Sequence, residues 1–154
     1  MLMKKETLKP FFVVGISVRT SNGDGKAAVD IPALWNRFRS EDIAARIPNK
    51  TGNEVYSIYT DYEGDHTKPY TTIIGYAVEN LDQVPEGMRG LTIEGGTYER
   101  QQLRGNLLQG LVFNAWVAIW NLNISRAYTA DFEVYGDNAR NPEDAEVDIF
   151  IATR

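Results

Sequence analysis

The chain of 154 residues contains no cysteine and a single histidine. The first absence removes disulfides, thiolate catalysis and Cys-ligated metals, and one imidazole cannot build a His-rich zinc site. A dense basic run is also missing. Lys and Arg number 16 against 21 Asp and Glu, for a net charge of −5, so the electrostatic footprint of a nucleic-acid binder is lacking. The longest apolar segment, "LVFNAWVAIW", is too short to cross a bilayer, and "MLMKKETLKP" has no apolar core of a signal peptide. The expectation is a cytoplasmic protein, without metal or cofactor, that engages neither membrane nor nucleic acid directly.

Aromatic residues are plentiful: eight Tyr, six Phe and three Trp. Such rings fill a core or line a pocket. With 43% hydrophobic residues the chain is expected to form a single domain over 1–154.

"FFVVGISVRT" (11–20), rich in β-branched and aromatic residues, reads as a strand. "VDIPALWNRFRSEDIAARI" then reads as a helix, with Asp30 as N-cap, Pro32 in the first turn, and Leu34, Trp35 and Phe38 at helical spacing. "EVYSIYTDY" and "YTTIIGYAV" predict two strands joined by a polar hairpin loop. Two further strand segments break at Gly95 and Gly96. "NLLQGLVFNAWVAIWNL" (106–122) is apolar nearly all round, as a buried helix would be, and "DFEVYGD" and "VDIFIATR" close the chain as a strand pair.

The order strand, helix, strand, strand thus occurs twice, over about 11–79 and about 88–154. Both helices hold a central Trp, and "YSIYTD" in one half aligns with "FEVYGD" in the other. The predicted fold class is α+β: two fused strand–helix–strand–strand repeats with pseudo-two-fold symmetry, an antiparallel sheet and two main helices flanking a central cavity. The alignment matches Tyr59 with Tyr135 and Asp61 with Asp137, while Glu133 falls on Ser57. Alternation puts Glu133 and Tyr135 on one strand face, Phe132 and Val134 on the other. A carboxylate taken out of water there would hold a proton, accept from a Tyr or keep a water.

Other motifs carry less. Gly23, Gly25 and Ala28 match a G-x-G-x-x-A spacing, but the following strands read as an antiparallel hairpin and not a βαβ unit, so a flexible loop is the better account. His66, among polar turn residues, is expected to be exposed, and no G-x-S-x-G elbow supports a serine triad. The sequons at Asn49 and Asn123 are matches of pattern only.

The repeat, the Trp in each helix and the terminal "FEVYGD…PEDAEVDIFIAT" resemble the GyrI-like, or AraC-type effector-binding, domains, from about Phe11 to Thr153. That family includes ligand-sensing domains of multidrug regulators and free-standing integron-cassette proteins. The resemblance implies a cavity between the halves that binds lipophilic cationic small molecules, with Glu133 meeting the positive charge and Trp35, Tyr59, Tyr76, Trp116 and Tyr135 as the aromatic lining. Three functions follow from it. The leading one is a small-molecule-binding protein acting as drug sensor or sequestering module, with a DNA-binding regulator or a second copy of the chain as partner. The second is a hydrolase of strained electrophilic antibiotics, with Glu133 as general base and Tyr135 or Tyr76 as proton donor. The third is an interaction protein like the gyrase inhibitor.

Overall fold

The computed structural model of the chain describes residues 3–154. In chain order its strands are β1 (Lys4–Leu8), β2 (Phe11–Thr20), β3 (Lys50–Thr60), β4 (Tyr70–Val78), β5 (Arg89–Ile93), β6 (Gly96–Gly105), β7 (Ala130–Tyr135) and β8 (Ala145–Ala152). The helices are α1 (Ala27–Ser40), the short α2 (Ile43–Arg46) and α3 (Leu111–Trp120). All eight strands join one antiparallel sheet in the order β1-β6-β8-β7-β3-β4-β2-β5.

That order reads the same from the centre outward in both directions: β7 and β3, then β8 and β4, then β6 and β2. The internal repeat is therefore a true structural duplication. The outermost strands are exchanged between halves, since β1 precedes β2 but pairs with β6, and β5 precedes β6 but pairs with β2. Leu8 lies opposite Gly96 and Phe11 opposite Ile93, so the two edges approach each other at one end and the sheet curls. The connectors meet there, and a side chain on Gly95 would come within 2.8 Å of the Pro10 ring. The sequence pattern contains no sign of β1, because "KKETL" is a mostly exposed edge strand whose charges hide any alternation.

Two helix expectations are corrected. α1 begins at Ala27, three residues before Asp30, because Asp24 accepts from Lys26 N at 3.0 Å and from Ser21 Oγ at 2.9 Å, turning the chain directly out of β2. The G-x-G-x-x-A stretch is thus a turn built on the Asp24 carboxylate, and no parallel strand follows it. The predicted helix also breaks at Asp42, which adopts φ 50° before α2. In the second half a 3-10 turn (Leu107–Gln109) precedes α3, and the helix is not buried all round. Ala115, Trp116 and Ile119 face the sheet, whereas Phe113 is 63% exposed.

Both long helices pack on the same face of the sheet. Leu34 and Phe38 of α1 cover Val14, Ile16 and Ile74, and Trp116 and Ile119 of α3 cover Leu103, Ile149 and Ile151. The opposite face, inside the curl, holds a third core around Ile58, Ile73, Tyr98, Phe132 and Phe150. Between α1 and α3 the central pair β3–β7 forms the floor of a cavity.

Gly15 and Gly75 face each other across β2–β4, and a Cβ on either would overlap a carbonyl oxygen of the partner strand, Ile74 or Val14. Backbone cannot yield as a flexible side chain can. Gly75→Ala is expected to destabilise the fold by about 3 kcal/mol, the upper end of overpacking, lowering the melting temperature by roughly 6–12 °C in a thermal melt.

Candidate functional site: an aromatic cavity around Glu133

The register of the central strands sets the site. Ser57 faces Glu133, Tyr59 faces Asp131 and Val55 faces Tyr135. Ser57 and Glu133, equivalent in the sequence repeat, thus sit directly across from each other at the pseudo-two-fold axis. The tyrosines of the two halves flank them on either side. Each helix sends its tryptophan to the other half's tyrosine: Trp35 meets Tyr135 at 5.2 Å and 80°, and Trp116 meets Tyr59 at 5.4 Å and 80°. Edge-to-face pairs of this kind favour aromatic association beyond the area they bury.

Glu133 is 1% exposed and departs from the symmetry. Its Oε2 accepts from the Tyr59 hydroxyl at 2.6 Å and from Trp116 Nε1 at 2.7 Å, and its Oε1 accepts from the Tyr135 hydroxyl at 2.5 Å. Burial raises its pKa above the ordinary value, with the bonds from Tyr135, Tyr59 and Trp116 pulling the other way. Tyr59 and Tyr135 are both pushed well above the usual phenol range by burial and by the Glu133 charge, so both remain hydrogen-bond donors.

Two residues earlier on the same strand face, Asp131 is fully buried but differently served. Its Oδ2 pairs with Arg126 Nη2 at 2.6 Å and accepts from the Tyr62 hydroxyl at 2.6 Å, and its Oδ1 accepts from Ala152 N at 2.8 Å. Asp131 has a cation built in. Glu133 has neutral donors only, and among the described residues no Lys or Arg pairs with it.

The cavity above Glu133 has a volume of about 610 Å³. Of the residues singled out in the sequence, Trp35, Tyr59, Trp116, Glu133 and Tyr135 all line it. Tyr76 does not. It packs on Phe38 at 5.7 Å in the α1 core with Lys50 Nζ over its ring, so the hydrolytic arrangement using Tyr76 has no geometric basis. His66 is also corrected: it is half-buried, lines the cavity and stacks on Trp120. Sequence reasoning missed Tyr62, Tyr70 and Arg126, which line the cavity too. Asp131 alone had a signal, its i−2 position on the face of Glu133.

Over residues 6–153 the sequence matches Cass2, the integron-associated effector binding protein family. The chain belongs to that family. The Cass2-type chain is 28% identical over 144 residues to YobU, a proposed transcriptional regulator of Bacillus subtilis (strain 168), covering 91% of this chain and 90% of YobU. Its fold is similar to an integron cassette protein from the mobile metagenome of Vibrio cholerae, with TM-score 0.78, 28% identity, and 99% and 95% of the two chains covered. SAV2435, solved bound to tetraphenylphosphonium, shares the fold with TM-score 0.80 at 18% identity, over 100% of this chain and 94% of that one. Effector binding is thus the family's character. Among the described residues no helix is long and apolar enough to cross a bilayer.

Proposed function

We propose that this protein binds lipophilic monocations in the Glu133 cavity, as a drug sensor or sequestering module. The observation that carries the reading is the contrast between two buried carboxylates on one strand face, Asp131 matched by Arg126 and Glu133 matched by no cation among the described residues. Burial of an unpaired carboxylate is unfavourable, and a ligand bearing a positive charge relieves it. Trp35, Tyr59, Trp116 and Tyr135 add cation–π attraction of about 0.5–2 kcal/mol per well-placed ring. The neighbour bound to tetraphenylphosphonium supplies a fitting probe, and the likeness to YobU favours a sensor. With its two oxygens already taking three hydrogen bonds, Glu133 is poorly placed to deprotonate water, which favours binding over hydrolysis.

The test is calorimetric titration with tetraphenylphosphonium across pH. A cation pairs with the ionised carboxylate, so below the raised pKa of Glu133 binding must release a proton. Affinity is expected to rise by up to about tenfold per pH unit until Glu133 is ionised, then to level off on its account. A pH-independent affinity, with no proton released at the acid end, would remove Glu133 from the site.

A further inference from the structure

The β3–β4 loop brings a second titratable side chain to the cavity. The His66 carbonyl accepts from Asn22 Nδ2 at 2.9 Å, and Asn22 Oδ1 accepts from the Tyr70 hydroxyl at 2.6 Å. Tyr70 itself lies against Tyr59, the partner of Glu133, with ring centroids 5.9 Å apart. The loop is thereby fastened to the cavity floor through Asn22. Its imidazole lies flat on Trp120 of α3, centroids 5.1 Å apart and planes 5° apart, and both rings line the cavity that Glu133 lines.

The charges around the imidazole come from few places. Asp65 on its own loop is occupied by Thr67, accepting from its N and Oγ, and Arg126 is paired with Asp131. Trp120, Tyr62, Tyr70 and Asn22 are uncharged, and Glu133 lines the same cavity. We propose that His66 is a specificity-determining residue: as a neutral imidazole it completes the aromatic wall with Trp120, and as an imidazolium it puts a positive charge into the cavity that expels a cationic ligand. The inference rests on the cation-binding reading. Burial and then the nearby Arg126 charge lower the pKa of His66, with Asp65 partly offsetting them, so the neutral ring prevails at neutral pH. At an effective dielectric constant near 20, two like charges sharing a cavity repel enough to change a dissociation constant on the order of tenfold or more. His66 thus adds a loss of cation affinity on acidification, separate from the one caused by protonation of Glu133.

Three variants on this half-buried loop position test it by calorimetry at pH 7.5: His66→Phe keeps a flat ring without charge, His66→Arg fixes a positive charge, and His66→Met is a long uncharged control. With tetraphenylphosphonium, His66→Arg is expected to bind at least about tenfold more weakly than His66→Met, a side chain of similar length without charge, and His66→Met in turn more weakly than His66→Phe, which keeps the flat ring of the wall. With neutral triphenylphosphine oxide the His66→Arg loss is expected to vanish. On acidification His66→Phe should retain only the Glu133 step. Unaltered tetraphenylphosphonium binding by His66→Arg overturns this inference alone, as does an equal loss for the neutral probe. Failure of the unaltered protein to bind tetraphenylphosphonium at any pH overturns the cation-binding reading with it.

Discussion

Glu133→Gln is expected to weaken tetraphenylphosphonium binding by roughly 30-fold or more, from the loss of a buried charge pair worth about 2–5 kcal/mol. The change is isosteric, so the cavity should survive. The amide oxygen can accept from Tyr59 and Trp116, and the Tyr135 hydroxyl can turn to accept from the amide nitrogen. The same substitution should make the ligand-free protein more stable at neutral pH. The pKa of Glu133 is higher folded than unfolded, so the folded state holds its proton more tightly. Its contribution to stability is largest in acid and falls as pH rises from the ordinary value of 4.5 through the raised one. Above that window the whole penalty of an unpaired buried anion is present, and Gln removes it. Melts of both proteins at several pH values, beside the calorimetry, read the two effects together. A Gln protein that binds the probe as tightly as the unaltered one removes Glu133 from the site. One that binds weakly but is also unstable would mean that the carboxylate is structural.

Asp131→Ala is expected to behave in the opposite way, destabilising the fold by about 3–5 kcal/mol and lowering the melting temperature by roughly 6–20 °C. The substitution leaves the guanidinium of Arg126, whose side chain is 5% exposed, without its carboxylate. It also orphans the Tyr62 hydroxyl and Ala152 N. Arg126→Met strands Asp131 in turn, although those two donors remain to it. Because the two ions act as a pair, the double variant Arg126→Met/Asp131→Leu should cost much less than the sum of the single changes. Denaturant melts arranged as a double-mutant cycle measure this coupling. Additive losses would show that the pair is not a unit, and would weaken the contrast with Glu133 on which the functional reading stands. Two carboxylates two residues apart should thus give opposite signs of stability change when neutralised.

Much of the frame is legible in the sequence. The strand at 11–20 lies where β-branched and aromatic residues place it, and the alternation of "DFEVYGD" turns Glu133 and Tyr135 to one face. The match of "YSIYTD" to "FEVYGD" has a direct counterpart in three dimensions, with Ser57 opposite Glu133. The central tryptophans of both helices reach the cavity, as the aromatic spacing allowed. Tyr76 was misplaced because tyrosine in a strand looks the same whether its helix-side neighbour is a cavity or Phe38. His66 was misread because polar loop neighbours say nothing about where a loop folds back, and only Asn22 and Trp120 bring it to the wall.

Local chemistry alone therefore determined most of the elements, though not β1 or the break before α2, together with the duplication and the direction in which Glu133 and Tyr135 point, because side-chain direction depends on backbone period and that is written in adjacent residues. The tertiary structure decided which groups those side chains meet. Tyr59 reaches Glu133 across 74 positions of sequence, and Tyr62 reaches Asp131 across 69. Partners at such distances follow from strand register and sheet curl, which no local pattern encodes. On that depends the feature that gives the site its chemistry, one buried carboxylate with a cation and one without.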